Sequence, residues 1–331
     1  MRVLVTGGAG YIGSVTVAIL ARMGHEVTVL DNLSKGHRAA VDGQAELSVT
    51  DLGDRGAVAA VVRRSRPEAT IHFAAQSLVG ESMEAPLRYY RGNVGGTLNL
   101  LEALDGSGCR AFVFSSTAAV YGAPTESPLE PISESHHLSP TSVYGDTKLA
   151  CERMVTWACR ASAIASVALR YFNAAGATAT LGEDHVPETH LIPNIVQAAL
   201  GRLPTISMFG DDYPTEDGTA VRDYVHVTDL AAAHVTAVEL LMSGGIGHSA
   251  LNLGTGTGHS VAEVIESVRR VSGQHVEVVR GPRRHGDPPA LVASGELARS
   301  VLGWVPSFVT IDDITSSAWK WAQRFPGGYP E

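Results

Sequence analysis

The stretch "VLVTGGAGYIGSVTVAIL", Val3 to Leu20, carries aliphatic and β-branched residues into three glycines, Gly7, Gly10 and Gly13, and on into a helical pattern. A strand that turns into a helix through small residues lets backbone approach a pyrophosphate at a helix end whose N–H groups and dipole favour anions. A tight strand–helix turn alone needs the same small residues, so two carboxylates sharpen the reading. Asp31 closes the second apolar run in "VTVLDN", and Asp51 closes the third in "SVTDL". Asp31 lies 18 positions after Gly13, where a carboxylate accepts hydrogen bonds from ribose hydroxyls and repels a 2′-phosphate, favouring NAD over NADP.

Outward from this unit, short apolar runs keep alternating with helical patterns through "TIHFAA", "AFVFSST" and "ASVALRYFN". Continuous apolar strands separated by helices mean a parallel sheet covered on both faces. We expect an α/β fold, a doubly wound Rossmann-type parallel sheet over residues 1–173 to which residues 221–255, "RDYVHVTDLAAAHVTAVELL" and "LNLGTG" among them, return. Past Phe172 the rhythm changes to long Gly/Pro/Asp-rich loops, "AAGATATLGEDHVPETH" and "GDDYPTEDGTAVRDY". Long loops in a compact enzyme tend to be functional, so residues 174–220 and 256–331 are assigned to a smaller C-terminal substrate-binding lobe.

The 331 residues are 44% hydrophobic and 18% charged, with a formal net charge of −9. That balance excludes a nucleic-acid or anionic-membrane surface, which needs clustered Lys and Arg, so an anionic ligand must be met locally. Cys109, Cys151 and Cys159 have no paired or metal-type spacing and read as buried thiols in a reducing compartment. "MRVLVTG" is already a strand entering its loop, which leaves no room for a leader, and no apolar run reaches the length of a membrane span. The expected location is the cytoplasm. Thirteen histidines show no zinc pattern, and His136 and His137 lack a partner spacing, so no metal is expected.

In "SVYGDTK", Tyr144 and Lys148 stand four residues apart, on one face if "SPTSVYGDTKLACERMVTW" is helical. A free tyrosine, with a pKa of ~10, is a poor base at neutral pH, and a neighbouring ammonium together with a cationic nicotinamide would bring it toward the working range. That spacing arises often by chance. The strand "FVFSSTAAVYG", ending in Ser115, Ser116 and Thr117, raises its weight, because strand carboxyl ends border the ligand crevice of a parallel sheet.

A Ser/Thr strand end, a Tyr-x-x-x-Lys helix and an N-terminal glycine loop together resemble the extended short-chain dehydrogenase/reductase family over essentially the whole chain. More narrowly, "TGGAGYIGS", "HFAAQSLVGES", "VYGDTK", "RYFNAAGA", "FGDDYPTEDGTAVRDYVHVTDLA", "NLGTG" and "RRHGDPPALVAS" are similar, in this order, to the UDP-glucose 4-epimerases. The resemblance implies that Tyr144 is the catalytic acid/base, that Lys148 orients it and binds the nicotinamide ribose, and that Thr117 bonds the sugar 4-hydroxyl. It implies a cofactor lining of Gly7, Gly10, Tyr11, Ile12, Gly13, Asp31, Asn32, Phe73, Ala74, Ala75 and Ser115. Asp51 and Leu52 would hold the adenine end, and Asn93 and Tyr171 would lie near the nicotinamide and sugar. Asn173, His190, Leu191, Ser207, Phe209, Arg222, Arg284 and Asp287 match contacts to a UDP-sugar, the arginines meeting phosphate as forked donors. The implied activity is NAD-dependent inversion of C4 of UDP-galactose or UDP-glucose through a transient 4-keto sugar.

Two departures bear on this. The region after "FAA", where relatives often carry a cofactor-touching lysine, reads Gln76-Ser77, which puts that contact in question. Leu291 stands where some members close the sugar pocket with a tyrosine, leaving volume in which an N-acetyl group would fit. A 4,6-dehydratase expects an acidic pair beside the strand-end threonine, and Ala118-Ala119 follow Thr117 here. A UDP-pentose or UDP-uronate epimerase stays open, whereas a non-catalytic dinucleotide sensor would lack the Tyr, the Lys or the hydroxyls. Relatives dimerise through two helices, and "LRYYRGNVGGTLNLLEALDGSG" and "LACERMVTWACRA" are apolar enough to supply a homodimer.

Overall fold

The computed structural model describes residues 1–123, 130–284 and 287–330. First along the chain come β1 (Arg2–Thr6), α1 (Tyr11–Arg22), β2 (Glu26–Asp31), β3 (Glu46–Val49), α2 (Arg55–Ser65) and β4 (Ala69–His72). Short helices α3 (Val79–Glu84) and α4 (Pro86–Tyr89) lead through a π-helical turn, Tyr90–Gly95, into α5 (Gly96–Leu104), then β5 (Ala111–Thr117), α6 (Val143–Ala161) and β6 (Ala165–Tyr171). The rest comprises β7 (Asn173–Ala175), α7 (Leu191–Ala199), β8 (Ile206–Phe209), β9 (Val221–His226), α8 (Val227–Ser243) and β10 (Ser249–Leu253). It ends with β11 (Gly258–Ser260), α9 (Val261–Ser272), β12 (Val278–Gly281), β13 (Ala290–Leu291), α10 (Glu296–Leu302) and α11 (Ile311–Arg324).

Seven strands form one parallel sheet in the order β10-β6-β5-β4-β1-β2-β3. This is the doubly wound α/β arrangement, and its ligand crevice lies beyond the carboxyl ends of β1 and β4, where the winding reverses. Alternation along each strand sorts the core into two layers. Val3, Val5, Val29 and Val113 face α1 and α8 through Leu20, Leu230 and Leu241. Leu4, Leu30, Phe112 and Phe114 face α2, α5 and α6 through Val58, Leu100 and Val155. Both faces are covered, so these strands read as continuous apolar runs rather than alternating ones.

Helix α6 starts at Val143, where the Ser142 hydroxyl accepts a hydrogen bond from the Gly145 N–H at 3.1 Å. The Ser139-Pro140 pair lies outside it, because the cap that satisfies a free helical N–H sets the start. In the π-helical turn before α5 the Asn93 carbonyl accepts from the Thr97 hydroxyl at 2.6 Å, and Asn93 is buried beside α6.

The second lobe gathers β7, β9, β11 and β13 into one small sheet and β8 and β12 into another. Its core joins Ile195 of α7, Val264 and Val268 of α9, and Ile314 and Trp319 of α11. Only part of residues 221–255 returns to the main sheet. Strand β10 does, pairing along β6, and α8 packs on α1. Strand β9 does not: it pairs with β7 in register Asn173↔Tyr224, with β11 and with β13. In the folded protein β10 takes the outer edge of β6, and "VRDYVH" finds its ladder partners in the second lobe.

Candidate active site

At the carboxyl end of the main sheet the two lobes enclose a cavity of about 910 Å³. Its floor is the glycine loop. Gly7 has φ +71°, and a Cβ there would lie 2.6 Å from the Ala74 nitrogen; one on Gly13 would lie 2.1 Å from the Gly7 carbonyl oxygen. Only glycine fits either position. Helix α1 begins at Gly10 without a side-chain cap, so its first turn presents N–H groups to the cavity side. The buried Asp31 carboxylate accepts from the N–H groups of Ala9 at 3.0 Å and Leu33 at 2.8 Å. Burial raises its pKa against those two bonds. Asp51 accepts from the Asn32 amide at 2.7 Å and from the Gly53 N–H at 2.6 Å, so the ends of β2 and β3 are tied together.

The hydroxyl and amine groups converge across from this floor. Lys148, 3% exposed, donates from Nζ to the Ser115 carbonyl at 2.8 Å and lies 4.9 Å over the Phe114 ring. Burial pushes its pKa down to about 8, against smaller upward effects of Cys151 and Glu152. Burial pushes Tyr144 up to about 12, with a hydrogen bond to Thr117 acting the other way. The lysine ammonium is directed at the Ser115 carbonyl, and the Thr117 hydrogen bond is what acts against burial at the phenol. Tyr171 bonds the Ser115 hydroxyl at 2.6 Å, and burial followed by the nearby Tyr144 raises its pKa. Asn93 is spent on structure: its amide donates to the Gln76 carbonyl and to the Thr147 hydroxyl, both at 3.0 Å, and its oxygen accepts the Gln76 N–H at 2.8 Å.

Every residue assigned above to the cofactor lines this cavity, as do Thr117, Asn173, His190, Leu191 and Leu291 from the sugar-nucleotide set. Ser207, Phe209, Arg222, Arg284 and Asp287 lie outside its lining, on the second lobe. There Arg222 pairs with Asp287 rather than with its neighbour Asp223, and the Arg284 guanidinium lies 4.1 Å over the Phe209 ring. Leu291 and Arg222 are cross-strand neighbours in β13 and β9, which makes the second group adjacent to the first.

Gln76, the departure noted after "FAA", carries a buried side-chain oxygen without a hydrogen-bond partner. The sequence reading passed over three lining or near-lining features. Lys35 donates to the Val186 carbonyl at 2.6 Å and His37 bonds the Asp184 carbonyl at 2.8 Å, bridging the lobes beside the glycine loop. Tyr224 of β9 closes one wall. Glu183, His185, Glu188 and His190 form a cluster whose signal was present in "GEDHVPETH" as an E-x-H-x-x-E-x-H spacing. His190 Nδ1 lies 2.7 Å from Glu183 and 2.9 Å from Glu188. At these distances one Nδ1–H faces two carboxylates, the arrangement of an ion-paired imidazolium. Burial opposes its charge, but Glu183 and then Glu188 outweigh that and push His190 up to about 10.

Residues 3–254 match the NAD dependent epimerase/dehydratase family. The UDP-glucose 4-epimerase of Lacticaseibacillus casei is 47% identical over 331 residues, covering 99% of each chain. A crystal structure of a UDP-glucose 4-epimerase superposes with a TM-score of 0.95 at 47% identity, covering 99% of both chains. The Brucella ovis UDP-glucose 4-epimerase, solved in complex with NAD, gives a TM-score of 0.91 at 47% identity over 96% of this chain and 97% of that one. With its glycine loop, its tyrosine–lysine helix and full-length likeness to these proteins, the chain belongs to the NAD dependent epimerase/dehydratase family.

Proposed function

We propose that the protein is an isomerase that inverts C4 of a UDP-hexose, interconverting UDP-galactose and UDP-glucose with NAD as its resident cofactor. The observation that carries this reading is the convergence of Thr117, Tyr144, Lys148 and Tyr171 on one cavity whose floor is the glycine loop. The site suits a dinucleotide on its own terms, through the Gly7 and Gly13 positions that no Cβ can occupy and the uncapped start of α1. Full-length likeness to named UDP-glucose 4-epimerases supports the substrate class.

When bound, NAD supplies the hydride acceptor and donor for C4. The chain's own residues do the rest. Thr117 holds the sugar 4-hydroxyl beside Tyr144, whose oxygen takes the proton as the carbonyl forms and returns it as the hydroxyl re-forms. Lys148, anchored on the Ser115 carbonyl, fixes the lower rim of the site and carries the positive charge that a phenolate needs. Asn173, His190 and Leu191 contact the nucleotide half, with Arg222, Arg284 and Asp287 extending that grip in the second lobe. A firm hold on UDP and a loose one on the hexose let the keto sugar present its opposite face.

Purified protein incubated with UDP-galactose and no added NAD is expected to form UDP-glucose. Tyr144→Phe is expected to abolish turnover while keeping the cofactor; turnover near wild type in that variant removes the assignment. Leu291, in the cavity wall, supports a second substrate class, the N-acetylated hexoses, and absent turnover of UDP-N-acetylglucosamine would sink it. We also infer a cytoplasmic homodimer: Leu98 on α5 and Trp157 on α6, 46% and 70% exposed, mark the adjoining faces of two packed helices. Among the described residues no helix is long and apolar enough to cross a membrane. Light scattering on Trp157→Glu tests the dimer, which predicts a halved mass.

A further inference from the structure

Behind the cavity wall lies a buried charged pair that the reaction above does not use. Glu152, on α6 one turn beyond Lys148, and Arg170, next to Tyr171 at the end of β6, have side chains 8% and 5% exposed. They meet in a two-point fork, Nε to Oε1 at 2.9 Å and Nη2 to Oε2 at 2.6 Å. Glu152 Oε1 also accepts the Ser116 hydroxyl. Ser116 and Arg170 are direct cross-strand partners, and the next partners along the ladder are Thr117 and Tyr171. Because side chains alternate along a strand, one pair is turned under the sheet toward α6 while the next opens on the cavity. Arg170 continues to the Tyr121 hydroxyl at 3.0 Å, and Tyr121 to Asn252 of β10 at 2.7 Å. One carboxylate therefore ties together the three elements that present Tyr144 and Lys148, Thr117, and Tyr171.

We propose that Glu152 and Arg170 are positioning residues for the C4 chemistry, a clamp that sets the spacing of Tyr144 and Lys148 against Thr117 and Tyr171; this inference rests on the function proposed above. Neither residue lines the cavity and both are buried beneath its wall, so their effect passes through the residues they hold. A buried pair is poor evidence of stability, since well-packed apolar residues in its place often do as well. Geometry at a reacting centre is less forgiving, with misplacement of ~1 Å costing about 10²-fold in rate.

Glu152→Gln keeps the shape and an acceptor for Ser116 but strands the arginine charge. The expected result is a fall in kcat of about 10²-fold, with KM for UDP-galactose changed by no more than about twofold and NAD retained. A double variant, Glu152→Met with Arg170→Met, removes both charges and is expected to recover thermal stability. If stability returns and kcat stays low, the clamp sets geometry. If kcat returns with stability, or if Glu152→Gln turns over like wild type, the proposal is overturned. A third readout does not depend on the reaction: the NMR resonance of the labelled Tyr144 ring carbon, identified by its loss in Tyr144→Phe, is expected to shift in Glu152→Gln. An unmoved resonance overturns the clamp. Wild-type protein inactive on UDP-galactose would remove the assigned reaction and leave the resonance to decide the clamp.

Discussion

Replacing Lys148 by methionine should destroy turnover and at the same time stabilise the NAD-free protein. The ammonium is buried at the cavity edge, and burial pushes its pKa from 10.5 down to about 8. Between those two values the unfolded chain binds more protons at this site than the folded one, so stability climbs as pH rises from about 8 to about 10.5. Below about 8 the penalty is present in full. At 1.36 kcal/mol per pKa unit the gap corresponds to roughly 3 kcal/mol. Methionine has similar length and no charge to desolvate, but it loses the bond to the Ser115 carbonyl, about 1 kcal/mol, leaving a net gain near 2 kcal/mol at neutral pH. In a chain of this size that is a rise in Tm of roughly 4 °C. Thermal melts of NAD-free wild type and variant at pH 7.0 and 10.5 are the assay, with the advantage of the variant expected to close at the higher pH. A variant that melts lower than wild type by the same margin at both pH values would refute the reasoning, since burial of the charge would then carry no cost.

Gly13→Ala places a Cβ 2.1 Å from the Gly7 carbonyl, an obstacle of backbone rather than side chain, and should cost about 3 kcal/mol and weaken NAD binding in calorimetry. Gly80→Ala meets nothing within 4 Å and serves as the neutral control. His190 is held charged up to about 10 by Glu183 and Glu188, so the stability this gives is whole below about pH 6.5 and fades as pH rises toward 10. His190→Gln should flatten that alkaline loss in melts between pH 6.5 and 10, and an unchanged profile would count against the ion-paired cluster. Burial raises the pKa of Cys109, Cys151 and Cys159, the last to about 12, so native protein at pH 8 should resist iodoacetamide until denatured. Fast labelling of the native protein would contradict their placement.

The main sheet was legible because burial on both faces forces strand interiors such as "AFVF", Ala111 to Phe114, to be apolar without alternation, a pattern no amphipathic helix shares. The glycine loop and Asp31 were legible as one corner of the cavity because their spacing is set by one strand, one turn and one helix. Strand β9 was not, since a six-residue run pairs equally well with either sheet. Local spacing said nothing of how deeply Tyr144 is buried or that Lys148 reaches the Ser115 carbonyl, since both depend on what packs against the helix. The cluster at Glu183, His185, Glu188 and His190 sat in a quoted loop, but its meaning depends on distances that spacing within a coil does not set. Arg222 stands beside Asp223 in the sequence, whereas its partner Asp287 arrives from a segment more than sixty positions away.

The seventh strand of the main sheet, β10, arrives only after the chain has traversed β7, α7, β8, β9 and α8. During synthesis the edge of β6 therefore stays bare from position 171 until position 249 is made, roughly 80 residues later, or about 4–16 s at ~5–20 residues per second. For that interval a buried strand has an open ladder, the kind of edge that recruits other chains. Strand β10 thus closes the nascent sheet, and until residues 172–249 have been made the inner strand β6 stands as an edge strand.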